Sequence, residues 1–480
     1  MTFPRIVTAL AACAASTVFA QADDALRDSV RQALDNQPDI TARVNAFKAS
    51  EDAVELGRAP MRPRVGLEAD LRRTEDRITT RSPESARLNQ TGVSLVLNQL
   101  IWDGMASAKD VGRLKREQRA RWFELADTSE QTALEAVRAH VDVLRYRRLV
   151  QLAEDSYVQH RYAHGQLLSR VQAGVGPGVD LEQAAARLAL AESNLTTETA
   201  NLHDVTARYQ RIVGRAPAAT LPPAQLTAAN LPASPADALS AAVRDSAAVS
   251  AAIETLRAAR ATASARESAY QPRVEARVRT GTGRNFDGVP DQKRDTTAEL
   301  TLTWNLYNGG ADQARVRQAA NLLNQAADLR DRTCRDVRQV ASVAYSDLRK
   351  LADLVPALDR NTLSIEKARD AYRQQFDIGR RSLLDLLNAE NELYTARRAL
   401  ANAQYDQVVA NARVLAALQR LTRDLGLATT VPQPAADDTD VSEDAPLRCP
   451  PEAVNVQTTP RAELDARAAK LIETAPKPTR

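Results

Sequence analysis

The sequence predicts a mainly α-helical protein that also carries membrane-spanning β-strands and is built as an internal tandem duplication. Three observations support this fold class: proline-free stretches with a coiled-coil rhythm, four short segments of alternating apolar and polar residues, and motifs that recur at one constant spacing. The 480 residues are 44% hydrophobic but only 4% aromatic, which is typical of long helices. A formal net charge of +3 implies no basic face for nucleic acid.

Residues 1–22 are predicted to be a secretory signal peptide. Arg5 supplies a short basic region, an apolar stretch covers 6–18, and small residues precede a cleavage site after Ala20 or Ala22. A lipoprotein signal is the alternative, because a Leu-Ala-Ala-Cys run fits the lipobox pattern. No later stretch reaches the ~18 consecutive apolar residues of a membrane-spanning helix.

The first structural repeat, residues 23–213, is predicted to contain a helix, two strands, a very long helix and a further helix. Apolar residues recur at near-heptad spacing over 24–58. No proline or strong break interrupts the chain from Met105 to about Gln172, and such a helix would be ~100 Å long. The last helix of the repeat is expected over 179–213.

The second structural repeat, residues 238–425, is predicted to contain the same elements in the same order and to end in a helix over 382–425. A Pro- and Ala-rich segment, 214–237, is the predicted linker. The duplication rests on residue pairs that are each 205 positions apart: Gly104 and Gly309, Gly174 and Gly379, Asp180 and Asp385.

The four strands are predicted from strict alternation at 62–73, 90–102, 271–281 and 297–307. Each is about ten residues long, enough to cross a bilayer when tilted. Because lipid tolerates no unpaired sheet edge, four strands cannot close a barrel alone, and three copies of the chain would give twelve.

Polar connections at 74–89 and 283–297 are expected to be exterior loops. Trp102, Trp304 and Tyr307 are expected at a membrane interface. A soluble hairpin with interior aromatics is the alternative to a membrane sheet.

Two cysteines remain after signal cleavage, Cys334 and Cys449, which either form a disulfide in an oxidising compartment or stay as free buried thiols. The tail, 426–480, begins with proline and acidic residues and is expected to be partly disordered, with a short helix at 461–475. His160 and His164 are four apart, but no third metal ligand is near, which favours a solvated helix face. No catalytic or phosphate-binding motif is present, so neither an enzyme nor a cofactor is expected.

Residues 24–425 resemble the TolC family of outer-membrane efflux proteins. The resemblance is carried by the duplicated plan, the strand exits "LIWDG" and "NLYNGG", and above all by "IGRRSLLDLLNAENELYTARRALANAQYD". It implies a homotrimer with a twelve-stranded outer-membrane barrel on a periplasmic α-helical tunnel. It also implies a periplasmic adaptor, or membrane fusion, protein and an inner-membrane ABC or proton-driven transporter as partners, and no enzymatic activity.

The same resemblance places hairpin turns at the periplasmic tips, where an adaptor docks, and assigns them to Gly174, Gly176, Gly178 and Gly379. In the family's closed gate, Arg381 would bond Asp180 of a neighbouring inter-helix pair, and Asp385 would form a ring of three carboxylates.

Two residues depart from the family pattern: Asn388 stands where a second acidic ring can occur, and Phe376 where a tyrosine can join the gate. Without the resemblance, the position of Asp180 favours a helix N-terminal charge that stabilises the helix dipole. An exported coiled-coil scaffold without a channel is the competing function. Within the channel class, drug efflux and type I protein secretion both stay open.

Overall fold

The computed structural model describes residues 25–80, 82–175, 177–224, 226, 231–378, 380–427, 431–435, 448–450, 452, 454 and 456–474. The predicted signal peptide lies outside the described residues, as does the acidic stretch at the start of the predicted tail. Of the helices in these ranges, none has an apolar stretch long enough to cross a bilayer.

The helices of the two repeats correspond closely. The first repeat has α1 (25–36), α2 (Pro38–Arg58), α3 (Ala106–Gln172) and α4 (Gly178–Val213). The second has α5 (Pro235–Asp245), α6 (Ala247–Arg266), α7 (Ala311–Asp377), α8 (Leu383–Ala417) and the short α9 (Leu421–Asp424). Both long helices, α3 and α7, have 67 residues.

Three predicted helix bounds are wrong. The helix over 24–58 is interrupted at Gln37, because Pro38 starts α2 and has no N–H to continue α1. The linker ends at Ser234, whose side chain accepts a hydrogen bond from the amide of Asp237 and so caps α5. The helix over 382–425 stops at Ala417, where the chain turns through Gln419 in the left-handed region (φ 54°).

The four strands form one antiparallel sheet in the order β1-β2-β3-β4, with β1 at Arg64–Arg77, β2 at Ser85–Trp102, β3 at Arg273–Arg284 and β4 at Arg294–Thr303. The prediction of a long loop over 74–89 is wrong, since β1 and β2 continue through most of it. Paired charges such as Arg87 and Glu75, 3.1 Å apart, stabilise this extension, which carries charged or polar side chains on both faces.

One face of the sheet is a continuous apolar surface. Val65 pairs with Leu97, Leu97 with Val278, and Val278 with Ala298, so an apolar row crosses all four strands. Large side chains on this face are exposed, from 38% at Leu97 to 84% at Leu71. Such a surface needs an apolar partner.

The loop predicted over 283–297 does not extend outwards but lies back on the opposite, polar face of the sheet. Phe286 is 2% exposed and covers Gly92 and Gly281, where an added Cβ would come within 2.6 and 2.2 Å of its ring. The Arg279 guanidinium lies 5.0 Å from the ring centroid and pairs with Asp287 at 2.7 Å. The Phe286 ring therefore packs against two glycines, Gly92 on β2 and Gly281 on β3, where a side chain would collide with it.

The main core joins α1, α3, α4 and the end of α8. Within it Ser29 donates to the carbonyl of Ala25, so the His140 Nδ1–H and the Tyr209 hydroxyl, at 3.0 and 2.9 Å, donate to Ser29 Oγ. The other ring nitrogen of His140 is buried and has no hydrogen-bond partner among the described residues.

A disulfide bonds the described part of the tail covalently to the helices. Cys449 forms a disulfide with Cys334 on α7, with Cα atoms 5.7 Å apart. Next to it, Arg448 donates to the carbonyl of Val243 and to the hydroxyl of Ser250. Beyond it, helix α10 (Arg461–Thr474) has no buried residue.

Candidate gate at the tips of the two helical hairpins

Two helical hairpins, α3–α4 and α7–α8, end in turns that use the same backbone bond. The amide of Val175 donates to the carbonyl of Arg170 at 3.0 Å, and the amide of Arg380 donates to that of Gln375 at 2.8 Å. This bond closes a Schellman turn, and Gly174 takes its left-handed conformation at φ 74°. Gly178 is the first residue of α4, while Gly176 and Gly379 lie outside the described residues.

The second half of each turn differs between the hairpins. Ser382 caps α8 by accepting a hydrogen bond from the amide of Asp385 at 3.2 Å. Pro177 precedes α4 and provides no such side-chain acceptor. The α7–α8 tip is therefore the more firmly fixed of the two.

Arg381 is held by its own hairpin. Its Nε donates to Gln375 Oε1 at 3.1 Å, its guanidinium lies 3.6 Å from Asp385 and it stacks 4.8 Å from the Tyr372 ring centroid. No hydrogen bond or ion pair joins it to Asp180 among the described residues of this chain. The pairing of Arg381 with Asp180 across neighbouring hairpins stays a prediction.

Asn388 and Phe376, the two departures from the family pattern, both contact the other hairpin. Arg187 on α4 donates to Asn388 Oδ1 at 2.9 Å. The guanidinium of Arg170 on α3 lies 5.2 Å from the centroid of the Phe376 ring. A third contact joins Arg373 to Gln159 Oε1 at 2.8 Å.

These three arginines and Tyr372 were not predicted from the sequence. They lie on helix surfaces among many other arginines, so only their position opposite the second hairpin distinguishes them. An apolar cluster beneath them also draws on both hairpins, and its buried members are Ala163, Leu167, Ala184, Leu383, Leu386 and Leu387. Polar and apolar contacts together hold the hairpins side by side.

Other predicted sites have simple environments. His160 is buried rather than solvated, because its helix face packs in this region, and its Nδ1 donates to the carbonyl of Ser156 at 2.8 Å. Within the described ranges no cluster of three potential metal ligands occurs. Trp102, Trp304 and Tyr307 are 43%, 55% and 84% exposed, and the Trp304 indole donates to the carbonyl of Tyr270.

Sequence comparisons relate this chain to outer-membrane export proteins. A family model described as outer membrane efflux protein matches residues 29–215 and 238–419. The outer membrane efflux protein BepC of Brucella suis is 26% identical over 84% of this chain and 87% of its own length. The alkaline protease secretion protein AprF of Pseudomonas aeruginosa is 27% identical over 81% of this chain and 83% of its own.

Solved structures share the fold. The CmeC outer membrane channel of Campylobacter jejuni superimposes with a TM-score of 0.75 at 14% identity, covering 88% of this chain and 89% of that one.

Proposed function

Because the chain belongs to the outer membrane efflux protein family, we propose that it acts as a trimer, the exit duct of a tripartite export system in the outer membrane. The observation that carries the proposal is the sheet. It presents an exposed apolar face and leaves β1 and β4 each with one edge that no described strand pairs.

A lipid-facing sheet requires every edge to be paired. If β4 of one copy pairs with β1 of the next, the ring closes, and three copies give the even strand number typical of such barrels. The apolar row through Val65, Leu97 and Val278 then faces lipid and the polar face lines the pore. A scaffold without a channel would leave the apolar face without a partner.

The helical hairpins extend this ring as a tunnel, with their tips as its entrance. Three copies place three Asp385 carboxylates around that entrance, where they attract cations. The hairpin contacts of Asn388 and Phe376 keep the entrance closed at rest.

The partners we propose are a periplasmic adaptor protein and an inner-membrane transporter, because the duct has no energy source of its own. A groove of about 490 Å³ lies between the hairpins next to Tyr162 and Phe376 and offers the adaptor a docking surface. One relative is named for efflux and another for protease secretion. Because similar ducts thus serve different cargoes, the transporter, rather than the duct, selects the cargo. No catalytic step is part of this function.

The experiment is to purify the full chain in detergent, measure its mass by analytical ultracentrifugation and insert it into planar bilayers. We expect a trimer and discrete single-channel currents. A monomer or dimer that gives no current would overturn the proposal.

A further inference from the structure

The connection between β3 and β4, residues 285–293, is folded onto the polar face of the sheet and held there by specific hydrogen bonds. We call it the inward loop. The Nδ2 of Asn285 donates to the carbonyl of Asn89 on β2 at 2.8 Å, and its Oδ1 accepts from the amide of Asp291 at 3.1 Å. The Asn285 side chain therefore fixes the loop to the neighbouring strand and also closes it on itself.

The residues of the inward loop suit the backbone conformation that it adopts. Asn285, Asp287 and Asp291 have φ values of 49°, 55° and 62°, in the left-handed region. Asn and Asp enter that region more readily than other residues with a side chain, because their short polar side chains hydrogen-bond to nearby backbone. The folded-back path of the loop is therefore encoded in its own sequence.

Phe286 anchors the inward loop. It is 2% exposed although it lies outside the strands, because its ring fills the space over Gly92 and Gly281. Beside the ring, the Arg279 guanidinium donates to both carboxylate oxygens of Asp287, at 2.9 and 2.7 Å. An apolar ring and a charge pair thus hold the loop against a mostly polar face of the sheet.

The inward loop lies below the outer end of the sheet, the end away from the helices. Pairing between β2 and β3 ends at Thr91 and Arg284, whereas β1 and β2 stay paired as far as Arg77 and Ser85. From Thr91 to Ser85, β2 continues outwards for about 20 Å at ~3.3 Å per residue. The paired ends of β1 and β2 therefore extend beyond the loop.

In the proposed ring the polar face lines the pore, so three inward loops project into one lumen at the same level. Barrels of about eight strands are filled by their own side chains, whereas those of about sixteen or more leave an aqueous channel. Twelve strands enclose a space between these limits. Three folded-in loops therefore take up a large part of that space.

We propose that the inward loop is a size filter at the outer mouth of the duct, and that Phe286 is the residue that positions it. This role rests on the proposed function, since only a closed ring makes the polar face the wall of a lumen. Large solutes outside the cell are kept from the deeper part of the lumen, whereas small ones pass between the loops.

The test measures which thiol reagents reach cysteines placed above and below the loop, in intact cells that express the full chain. Asp76 and Asn98 both lie on the polar face, Asp76 beyond the loop and Asn98 nearer the helices. We expect Asp76→Cys to react with a small maleimide and with one attached to a bulky polyethylene glycol chain. Asn98→Cys should react with the small maleimide alone. Cys334 and Cys449 are bonded to each other and do not react.

Two variants release the loop from opposite sides. Phe286→Ala removes the ring, and Gly281→Ala displaces it, because a Cβ there would come within 2.2 Å of the ring. Each should let the bulky maleimide react with Asn98→Cys, whereas Phe286→Leu, which keeps an apolar side chain, should preserve part of the protection. Gly66→Ala is the matched control and should change nothing, since an added Cβ there meets no atom within 4 Å.

The outcomes separate the filter from the duct itself. If the bulky maleimide reacts with Asn98→Cys while the loop is intact and single-channel currents are retained, the filter is wrong and the duct stands. The same reaction in a chain that forms neither a trimer nor a current would overturn the proposed function and the filter with it. Continued exclusion of the bulky maleimide in both Phe286→Ala and Gly281→Ala, with the trimer mass unchanged, would show that the loop does not set the size limit.

Discussion

Arg187 on α4 donates a hydrogen bond to Oδ1 of Asn388 on α8 at 2.9 Å, and this bond joins the two hairpins of one chain near their tips. Its strength is that of a charge-assisted bond at a half-exposed site, on the order of 1 kcal/mol. In the proposed gate, several such bonds together would keep the entrance closed, and each would be weak enough for a docking partner to break.

The first prediction concerns this bond. Arg187→Ala removes the donor, and we expect a higher single-channel conductance in planar bilayers because the hairpins separate more easily. Arg161→Ala removes an exposed arginine from α3 and serves as the matched control. An equal rise in both variants would mean that charge, rather than the contact with Asn388, controls the current.

The second prediction tests the contact across hairpins that the sequence suggests. If the two side chains act as a pair, Asp180→Ala combined with Arg381→Ser should raise conductance by less than the sum of the two single changes, because either change alone already breaks the bond. Arg381→Ser alone also frees Asp385 and Tyr372, so the single variants must be measured separately. Conductance that adds up from the single effects would show that Arg381 acts only within its own hairpin.

The third prediction concerns the dependence of stability on pH through Glu130. Burial raises its pKa to about 7 in the folded chain from an ordinary value of 4.5, so stability is fully present below pH 4.5 and falls as pH rises through 7. Glu130→Gln should therefore raise the apparent melting temperature at pH 8 by an amount equivalent to about 3 kcal/mol. At pH 4.5 the two melting temperatures should agree, and the exposed Glu135→Gln should change neither.

The fourth prediction has the opposite sign. Burial, followed by the charge of Arg147, lowers the pKa of His140 to about 4 from 6.5. Its contribution to stability is complete above pH 6.5 and is lost as pH falls towards 4, to the extent of about 3 kcal/mol. In His140→Gln the melting temperature should depend less on pH between pH 6.5 and pH 4 than it does in the wild type. The Glu130→Gln variant, in which His140 is kept, removes the opposing effect of Glu130. If its stability does not change between pH 7 and pH 4.5, the prediction is contradicted.

The fifth prediction concerns the disulfide. Cys334 and Cys449 are 115 positions apart, and a bridge across such a loop stabilises a chain by up to about 4 kcal/mol through the unfolded state. Replacing both cysteines by alanine should lower the melting temperature. Reductant should lower that of the wild type equally and leave the double variant unaffected, which separates the bridge from the packing of the two side chains.

The lengths of the elements were predictable where one physical rule dominates. The absence of proline and of any other strong break predicted the extent of α3. The constant spacing of 205 predicted α7 and its tip, although Pro356 lies inside α7. The parts of β1 and β2 next to their connecting turn were not predictable. Charged or polar side chains lie on both faces there, so the strict alternation of apolar and polar residues disappears.

Contacts between segments that are distant in the sequence were not predictable for a different reason. Gly92 and Gly281 seat Phe286 only once β2 and β3 are paired, and each glycine alone reads as an ordinary strand residue. Asn388 was noticed as a missing carboxylate, but its bond to Arg187 depends on how the two hairpins pack. Spacing identifies elements, whereas packing identifies their partners.

The separation of Cys334 and Cys449 along the chain limits when their bond can form. The two cysteines are 115 positions apart, so during export that starts at the N-terminus Cys334 has no partner until Cys449 has also crossed. Because α8 precedes Cys449 in the chain, the bond that anchors the tail to α7 can form only after the α7–α8 hairpin has emerged.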